Sequence, residues 1–573
     1  MTRALKLSVL LALGAAIVIA GVSLWTPGRP SSPPADTSGG RLIASLRSEP
    51  ARYNRYVEGS AAADLVSLLT DGRLVRLNRS TDVVEPALAE RWEPSDDGLT
   101  YTLALRRDVR FSDGEPFTSA DVLFSARALY DPAVNSPLAS ATRIDGQPLV
   151  FAAPDPWTVT VTLPAPFAPG LRLLENLPLL PRHKLEGALD AGTFPDAWRV
   201  GTPPAEIAGL GPFMLTEHVS GQRLVFARNP HYWRRDAQGT QLPYLDGITV
   251  LIVQDQNTEA LRMAAGELDV MSNADIRPED IAAFRRAADA GRLRLHEVGI
   301  GLDPNLLWFN LTEESRDRLA WLHDTRVRQA ISLAVDRQAM ANTVYLGAAV
   351  PIHGPVSPGN RTWHSASAPQ WPYDPGRAKA LLADAGLADT DGDGMLDTSG
   401  GPARFSILTQ AGNTLRERSA SLVQEQLRQV GLAVDIVTLD QGALGQRWMQ
   451  GAYDSIYFGV QASATDPALN LDFWLSSGSF HFWNPNQPAP ATTWEAEVDA
   501  LMHRNAAAAT LAERQQLFAE VQRILGEQLP AIYYVAPRVT VAVSPRVRNL
   551  TPVLQAPQVL WNAETLAVDA RQP

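Results

Sequence analysis

Leu99, Tyr101, Leu103 and Leu105 alternate with Thr100, Thr102 and Ala104, and a period of two over this length predicts a half-buried strand. Asp113-Gly114 follows as a turn. Thr118, with Asp121 three residues on, has the spacing of a capping box that opens a helix running to about Tyr130. Trp157 to Leu163 reads as a second strand, ended by Pro164. Further on, Leu415 to Val430 predicts a helix stopped by Gly431, after which Leu432 to Leu439 returns to a strand. Leu517, Val521, Ile524 and Gln528 share one face of a helix that ends at Pro530, and Ala531 to Val543 is again rich in β-formers. Strand and helix signals that alternate irregularly in this way suit an α/β or α+β protein.

One apolar run stands apart. Arg3 and Lys6 precede Leu7 to Trp25, which is almost wholly apolar, and Val18 and Ala20 offer small residues for cleavage before Gly21. Two readings stay open: a signal peptide that is removed, or an uncleaved N-terminal anchor, since nineteen residues rise roughly 28 Å, enough for a bilayer core. Either places the body outside the cytoplasm, in the periplasm for a double-membraned cell. Residues 26–40 (TPGRPSSPPADTSGG) read as a flexible tether.

At 573 residues the remainder exceeds one hydrophobic core, so two or three domains are expected. The formal charge is −12; the first forty residues carry +2 (Arg3, Lys6 and Arg29 against Asp36), which leaves −14 for the rest. An acidic body repels phosphate backbones and argues against nucleic acid as a partner. There is no cysteine, which excludes disulfides, thiolate metal sites, Cys nucleophiles and a lipidated Cys after the leader.

Four collinear blocks carry a resemblance. The first is Glu85-Pro-Ala-Leu-Ala-Glu-Arg-Trp92, then Asp97 to Thr102, Leu105 to Phe111, Asp113-Gly114 and Ala120-Asp-Val122. The second comprises Gly209-Leu-Gly-Pro-Phe213, Arg228-Asn-Pro-His-Tyr-Trp233, Leu245-Asp246 and Gly266 to Val270. The third is Asp324-Thr-Arg-Val-Arg-Gln-Ala330 with Val335-Asp-Arg337 and Gly347, and the fourth runs from Tyr373-Asp-Pro to Leu381–Gly386. Together they span roughly 41–550 and resemble the family 5 extracellular solute-binding proteins, the peptide and nickel binders of ABC importers. Taken singly the motifs have structural readings: Gly209, Gly211 and Pro212 shape a turn before a strand, and Arg326 and Arg328 make ion pairs on a helix surface.

The resemblance implies a two-lobed, periplasmic-binding-protein-like α/β fold of type II, with an extra subdomain in the first lobe and two crossing strands between the lobes. Lobe I would comprise 41–298 plus 533–573, and lobe II residues 299–532. It also implies a non-enzymatic role: capture of a peptide-class solute, as a monomer, with delivery to an inner-membrane ABC permease.

Peptide binders of the family hold the ligand amine with an Asp in a Gly-Trp-x-x-Asp segment. Here that stretch is Gly459-Val-Gln-Ala-Ser-Ala-Thr-Asp-Pro467, with Ser463 at the Asp position, Gln461 beside it, and Asp466 as either a substitute or a cap for the following turn. The family's carboxylate-binding Arg falls on Gln410; Arg416 and Arg418 lie one to two turns on and read as solvated helix-surface charges. Oligosaccharide is the second ligand class, because aromatic rings stack on sugar faces. Trp308, with Asn310 near the lobe crossing, and Trp474 and Trp483 are the rings to follow.

Asp389-Thr-Asp-Gly-Asp-Gly-Met-Leu-Asp397 offers carboxylates at alternating positions, so Asp389, Asp391, Asp393 and Asp397 suit either calcium or a solvated hairpin. Gly400 occupies the twelfth position, where an EF-hand would carry its bidentate Glu. No other cofactor is implied, and His353, His364 and His481 form no close pair for nickel. The rival classes are a secreted hydrolase, for which neither Gly-x-Ser-x-Gly nor His-Glu-x-x-His is present, and a ligand sensor.

Overall fold

The computed structural model describes residues 39–273, 276–459 and 466–570. The leader, nearly all of the tether, Gln461 and Ser463 therefore lie outside the described residues.

Local signals in the sequence become the expected elements. The strand at 99–105 is Thr100–Leu105. The capping box forms: Thr118 Oγ1 accepts from the Ala120 amide, Asp121 Oδ2 accepts from the Thr118 amide at 2.9 Å, and the helix runs Ser119–Tyr130. Thr158–Thr162, Thr414–Arg428, Ala433–Leu439 and Leu511–Gln528 match the other predicted elements to within a few residues. Gly431 takes a φ of 87°, the left-handed conformation that ends the 414–428 helix.

These elements build two principal sheets. In the first, strands run in the order Phe213–Val219, Arg223–Arg228, Gly247–Ile252, Arg41–Leu46, Val270–Met271, Val535–Val543 and Arg294–Ile300, and Ala349–Pro351 pairs with the start of Val535–Val543. The second runs Ala433–Leu439, Arg404–Gln410, Ser455–Gly459, Asn305–Phe309, Ala531–Tyr533. A four-stranded antiparallel sheet (Ala89–Pro94, Thr100–Leu105, Thr158–Thr162, Val150–Asp155) forms a subdomain beside the first, sharing its core.

The chain passes between the two sheets as an antiparallel ribbon. Arg294–Ile300 pairs with Val535–Val543 on one side, and Asn305–Phe309 pairs with Ala531–Tyr533 on the other. Between them lie residues 301–304 in one strand and Tyr534 in the other, tied by the Gly301 amide to the Pro537 carbonyl at 2.7 Å. A two-strand link of this kind resists shear and permits bending.

Two glycines show why the second sequence block has its composition. A Cβ on Gly209 would stand 2.0 Å from the Thr70 carbonyl oxygen, and one on Gly211 only 2.5 Å from the Thr70 carbonyl carbon. The chain reaches Phe213–Val219 by lying directly on the end of helix Ala61–Thr70, which any side chain would prevent.

The third block departs from its surface reading. Arg326 does pair with Asp324, on an exposed face. Arg328 is 2% exposed and donates to the carbonyls of Leu322, Gln528 and Leu529. Arg337, 4% exposed, donates to the carbonyls of Ile352, Tyr533, Ser332 and Trp371 and lies over the Tyr534 ring. Burial pushes both guanidiniums down to about 10, so both stay charged near neutrality. Backbone dipoles, not a carboxylate, satisfy them: the open carbonyls at the end of helix 511–528 for Arg328, and the crossing strand for Arg337.

Arg337→Leu would leave four buried carbonyls without that donor, and the expected loss is roughly 3 kcal/mol or more. Urea unfolding followed by tryptophan fluorescence would show the second-lobe transition moving to lower denaturant, with Arg337→Lys recovering part of it.

Candidate functional site

A cavity of about 860 Å³ opens in the first lobe where the segment after Asp466 leans on it. Among the described residues, Leu469 is its only lining residue from 305–533. The lobes meet beside it: the Ala168 amide donates to the Ala506 carbonyl at 2.7 Å, and Ala468 and Ala506 join the first-lobe core. Small-molecule sites typically span roughly 300–1,000 Å³.

Its walls mix leucines and the rings of Tyr232, Trp233 and Trp561 with charge. Six arginines line it (Arg55, Arg73, Arg76, Arg79, Arg172 and Arg234) against four acids (Asp64, Asp71, Glu175 and Glu564), a surplus of two positive charges in a protein of net charge −12. One oxygen of Glu564 accepts from both Arg76 and Arg234 at 2.5 Å. Arg79 pairs with Glu175 at 3.4 Å. Arg172 grips Asp82, which is outside the lining and 44% exposed. Arg73 donates to the Glu175 carbonyl and to Ser67, and has no carboxylate at ion-pair distance among the described residues. Burial lowers the Arg79 pKa; Glu175 opposes this, while Arg73 and Arg172 push the same way as burial.

Asp71 lies deep in this cavity, and burial pushes its carboxyl up to about 6 from an ordinary 3.8. The folded state therefore holds this proton more tightly than the unfolded chain does. That stabilisation is present in full below about 4 and is lost as pH rises through about 6. Asp71→Asn removes the slope. Apparent urea midpoints at several pH values should show the variant gaining on the wild type between about pH 4 and 6 and running parallel above; curves parallel throughout would contradict the assignment.

A second cationic group stands on the other lobe. Arg416, in the first turn of helix Thr414–Arg428, is part-buried, not solvated as its sequence position suggested. Its Nε donates to Asn305 Oδ1 at 3.0 Å, Nη1 donates to Gln410 Oε1, and the guanidinium lies 3.8 Å from the Phe458 ring centre. A Cβ at Gly459 would come within 2.9 Å of Arg416 Nη2, so the glycine makes room for it. Arg418 is exposed. Gln410 and Arg416 are thus brought together beside Gly459.

Other candidate residues have structural partners. Trp308, 2% exposed, packs its ring 4.8 Å from Phe482. Trp474 meets Phe518 edge-on at 5.0 Å, and Trp483 meets His481 at 4.3 Å while its Nε1 donates to Glu495. These three rings lie in a second-lobe core and none lines the cavity, because their apolar area is covered by neighbouring aromatics and aliphatics. Asn310 is buried and donates to the carbonyls of Gly451 and Tyr453 while accepting from Thr312. Asp466 caps the following turn by accepting from the Ala468 amide, and both its oxygens accept from the buried Arg514. Its carboxylate is committed to that pair.

In the acidic loop, Asp389, Asp391 and Asp397 bring one oxygen each within 4.8 Å of the others, and Asp393 is not part of that group. Their carboxylates accept from the Gly392, Gly394, Asp393 and Thr390 amides, and Asp393 accepts from Met395.

The cavity arginines escaped the sequence reading. One signal was present: Arg73, Arg76 and Arg79 recur at every third position. Without the fold, nothing showed that they share a wall with Arg172 and Arg234.

Comparison with known proteins follows the same architecture. The family described as bacterial extracellular solute-binding proteins, family 5, matches residues 83–482. A probable ABC transporter-binding protein of Deinococcus radiodurans is 26% identical over 564 residues, covering 94% of each chain. Di/tripeptide-binding protein 2 of Pseudomonas aeruginosa is 28% identical over 84% of this chain and 86% of its own. Among solved structures, the oligopeptide-binding protein AppA of Bacillus subtilis, in complex with a nonapeptide, superposes with a TM-score of 0.72 at 23% identity, covering 93% of this chain and all of its own.

Proposed function

This chain belongs to the bacterial extracellular solute-binding proteins of family 5, and from that membership we propose that it is the extracytoplasmic substrate-binding component of an ABC importer, taking a peptide-class solute. The lobes are read as 41–298 plus 533–573 and 299–532, with the ribbon through 301–304 and Tyr534 as the hinge. Closure about it shields the solute, and the closed form is what the permease receives. Export by the leader, with 26–40 as a tether, completes the reading. Binding is reversible and no bond is made or broken.

The observation that carries the peptide class is Arg416. It is a part-buried guanidinium held by two neutral amide oxygens and a ring, with an Nη left beside Gly459. A charge held this way, without a carboxylate among its hydrogen-bond partners in the described residues, suits a ligand carboxylate. The Pseudomonas and Bacillus relatives, a di/tripeptide-binding protein and an oligopeptide-binding protein, point the same way. The three rings first considered for sugar stacking are occupied in the second-lobe core.

The test is a melting-temperature screen of leader-free protein against peptides with free and amidated C-termini. A ligand at a hundredfold its Kd adds about 2.7 kcal/mol to the folded state. Free-carboxylate peptides should raise the melting point, amidated ones less, and Arg416→Gln should weaken the former by roughly ten- to a hundredfold. Oligosaccharides stabilising the protein where peptides do not would overturn the peptide class.

A further inference from the structure

We propose that the first-lobe cavity is an anion-recognising subsite, so that the solute carries a carboxylate or similar oxyanion, on an apolar body, in addition to whatever group Arg416 holds. This deepens the reading above and rests on the cavity being where solute is held.

Three observations carry it. The first is a local reversal of charge: the chain has 62 acidic against 50 basic residues, yet six arginines and four acids line this cavity. An acidic protein that concentrates arginine in one concavity creates a field there opposite to that of its surface. The second is an uneven sharing of carboxylates. Glu564, its side chain 7% exposed, shares one oxygen between Arg76 and Arg234, and Arg73 is held only by a hydroxyl and backbone carbonyls. Arg55, Arg79 and Arg172 pair with Asp64, Glu175 and Asp82, and Arg76 also with Glu85, which leaves Arg73 as the one lining arginine with no carboxylate at ion-pair distance among the described residues. Arginine presents five N–H donors in a planar fork, and Arg234 commits one of them to Glu564. The remaining donors suit the two oxygens of a carboxylate. The third is the apolar complement: Trp233, stacked under Arg106 at 4.3 Å, and Tyr232 and Trp561 line the same space and would cover an aromatic or aliphatic body. Partial burial strengthens any pairing made there relative to water.

The experiment uses leader-free protein and two kinds of probe, read by calorimetry and melting temperature. One is naphthalene-2,6-dicarboxylate, an apolar dianion with no amine or peptide bond. The other is the peptide pair Leu-Glu-Phe-Glu-Leu and Leu-Gln-Phe-Gln-Leu, which differ only in side-chain charge. The dicarboxylate should raise the melting point, and the acidic peptide should bind at least tenfold more tightly than its amide twin. Arg73→Gln and Arg234→Gln should each abolish the preference, while Arg73→Lys, which keeps the charge, should retain most of it. A preference unchanged in both Gln variants that fold with wild-type circular dichroism would overturn the proposal. Equal binding of the two peptides with no dicarboxylate effect would overturn the subsite and leave the peptide class standing. A dicarboxylate effect with neither peptide bound would do the reverse. No response to either probe would overturn both.

Discussion

Two buried positive charges, with no carboxylate at ion-pair distance among the described residues, hold the crossing between the lobes in place. Arg328 and Arg337 donate into backbone carbonyls at the end of the 511–528 helix and along the strand that leaves the second sheet. A guanidinium suits this position better than a lysine ammonium, because its planar fork reaches several carbonyls at once. The ribbon through 301–304 and Tyr534 is therefore anchored firmly on the second-lobe side. On the first-lobe side it continues as Arg294–Ile300 against Val535–Val543. In the proposed closure, the bend falls on the few residues between.

Signals that act over a few residues were legible in the sequence. The Thr118–Asp121 box, the Gly431 stop and the alternation at 99–105 each depend on neighbours within one turn or one strand, and each forms where the pattern put it. The four blocks gave the two-lobed scaffold for the same reason: they mark turns, caps and close approaches such as Gly209 on Thr70. Arg328 shows the limit. Beside Arg326 on one helix it reads as a surface charge, and only the distant 528–529 carbonyls make it a core residue.

The site was much less legible. Trp308, Trp474 and Trp483 stood out as large rings, but ring size says nothing about which way a strand or loop faces, and all three are buried against their own lobe. Asp466 had two readings, and the partner that occupies it, Arg514, is 48 residues away. The cavity arginines come from the separated stretches 55–79, 172 and 234, which meet only through sheet order and lobe packing. Their convergence is a property of tertiary structure, as is the reversal of charge that they create inside an acidic chain.

Hydrogen exchange read by mass spectrometry, on leader-free protein with and without a saturating peptide mixture, addresses the central account most directly. Solute held between the lobes in the arginine-lined cavity predicts slowed exchange in three separate stretches: 64–79, 165–176 and 466–471. The first two belong to one lobe and the third to the other. Protection confined to a single lobe away from these stretches, in the presence of demonstrable binding, would contradict it.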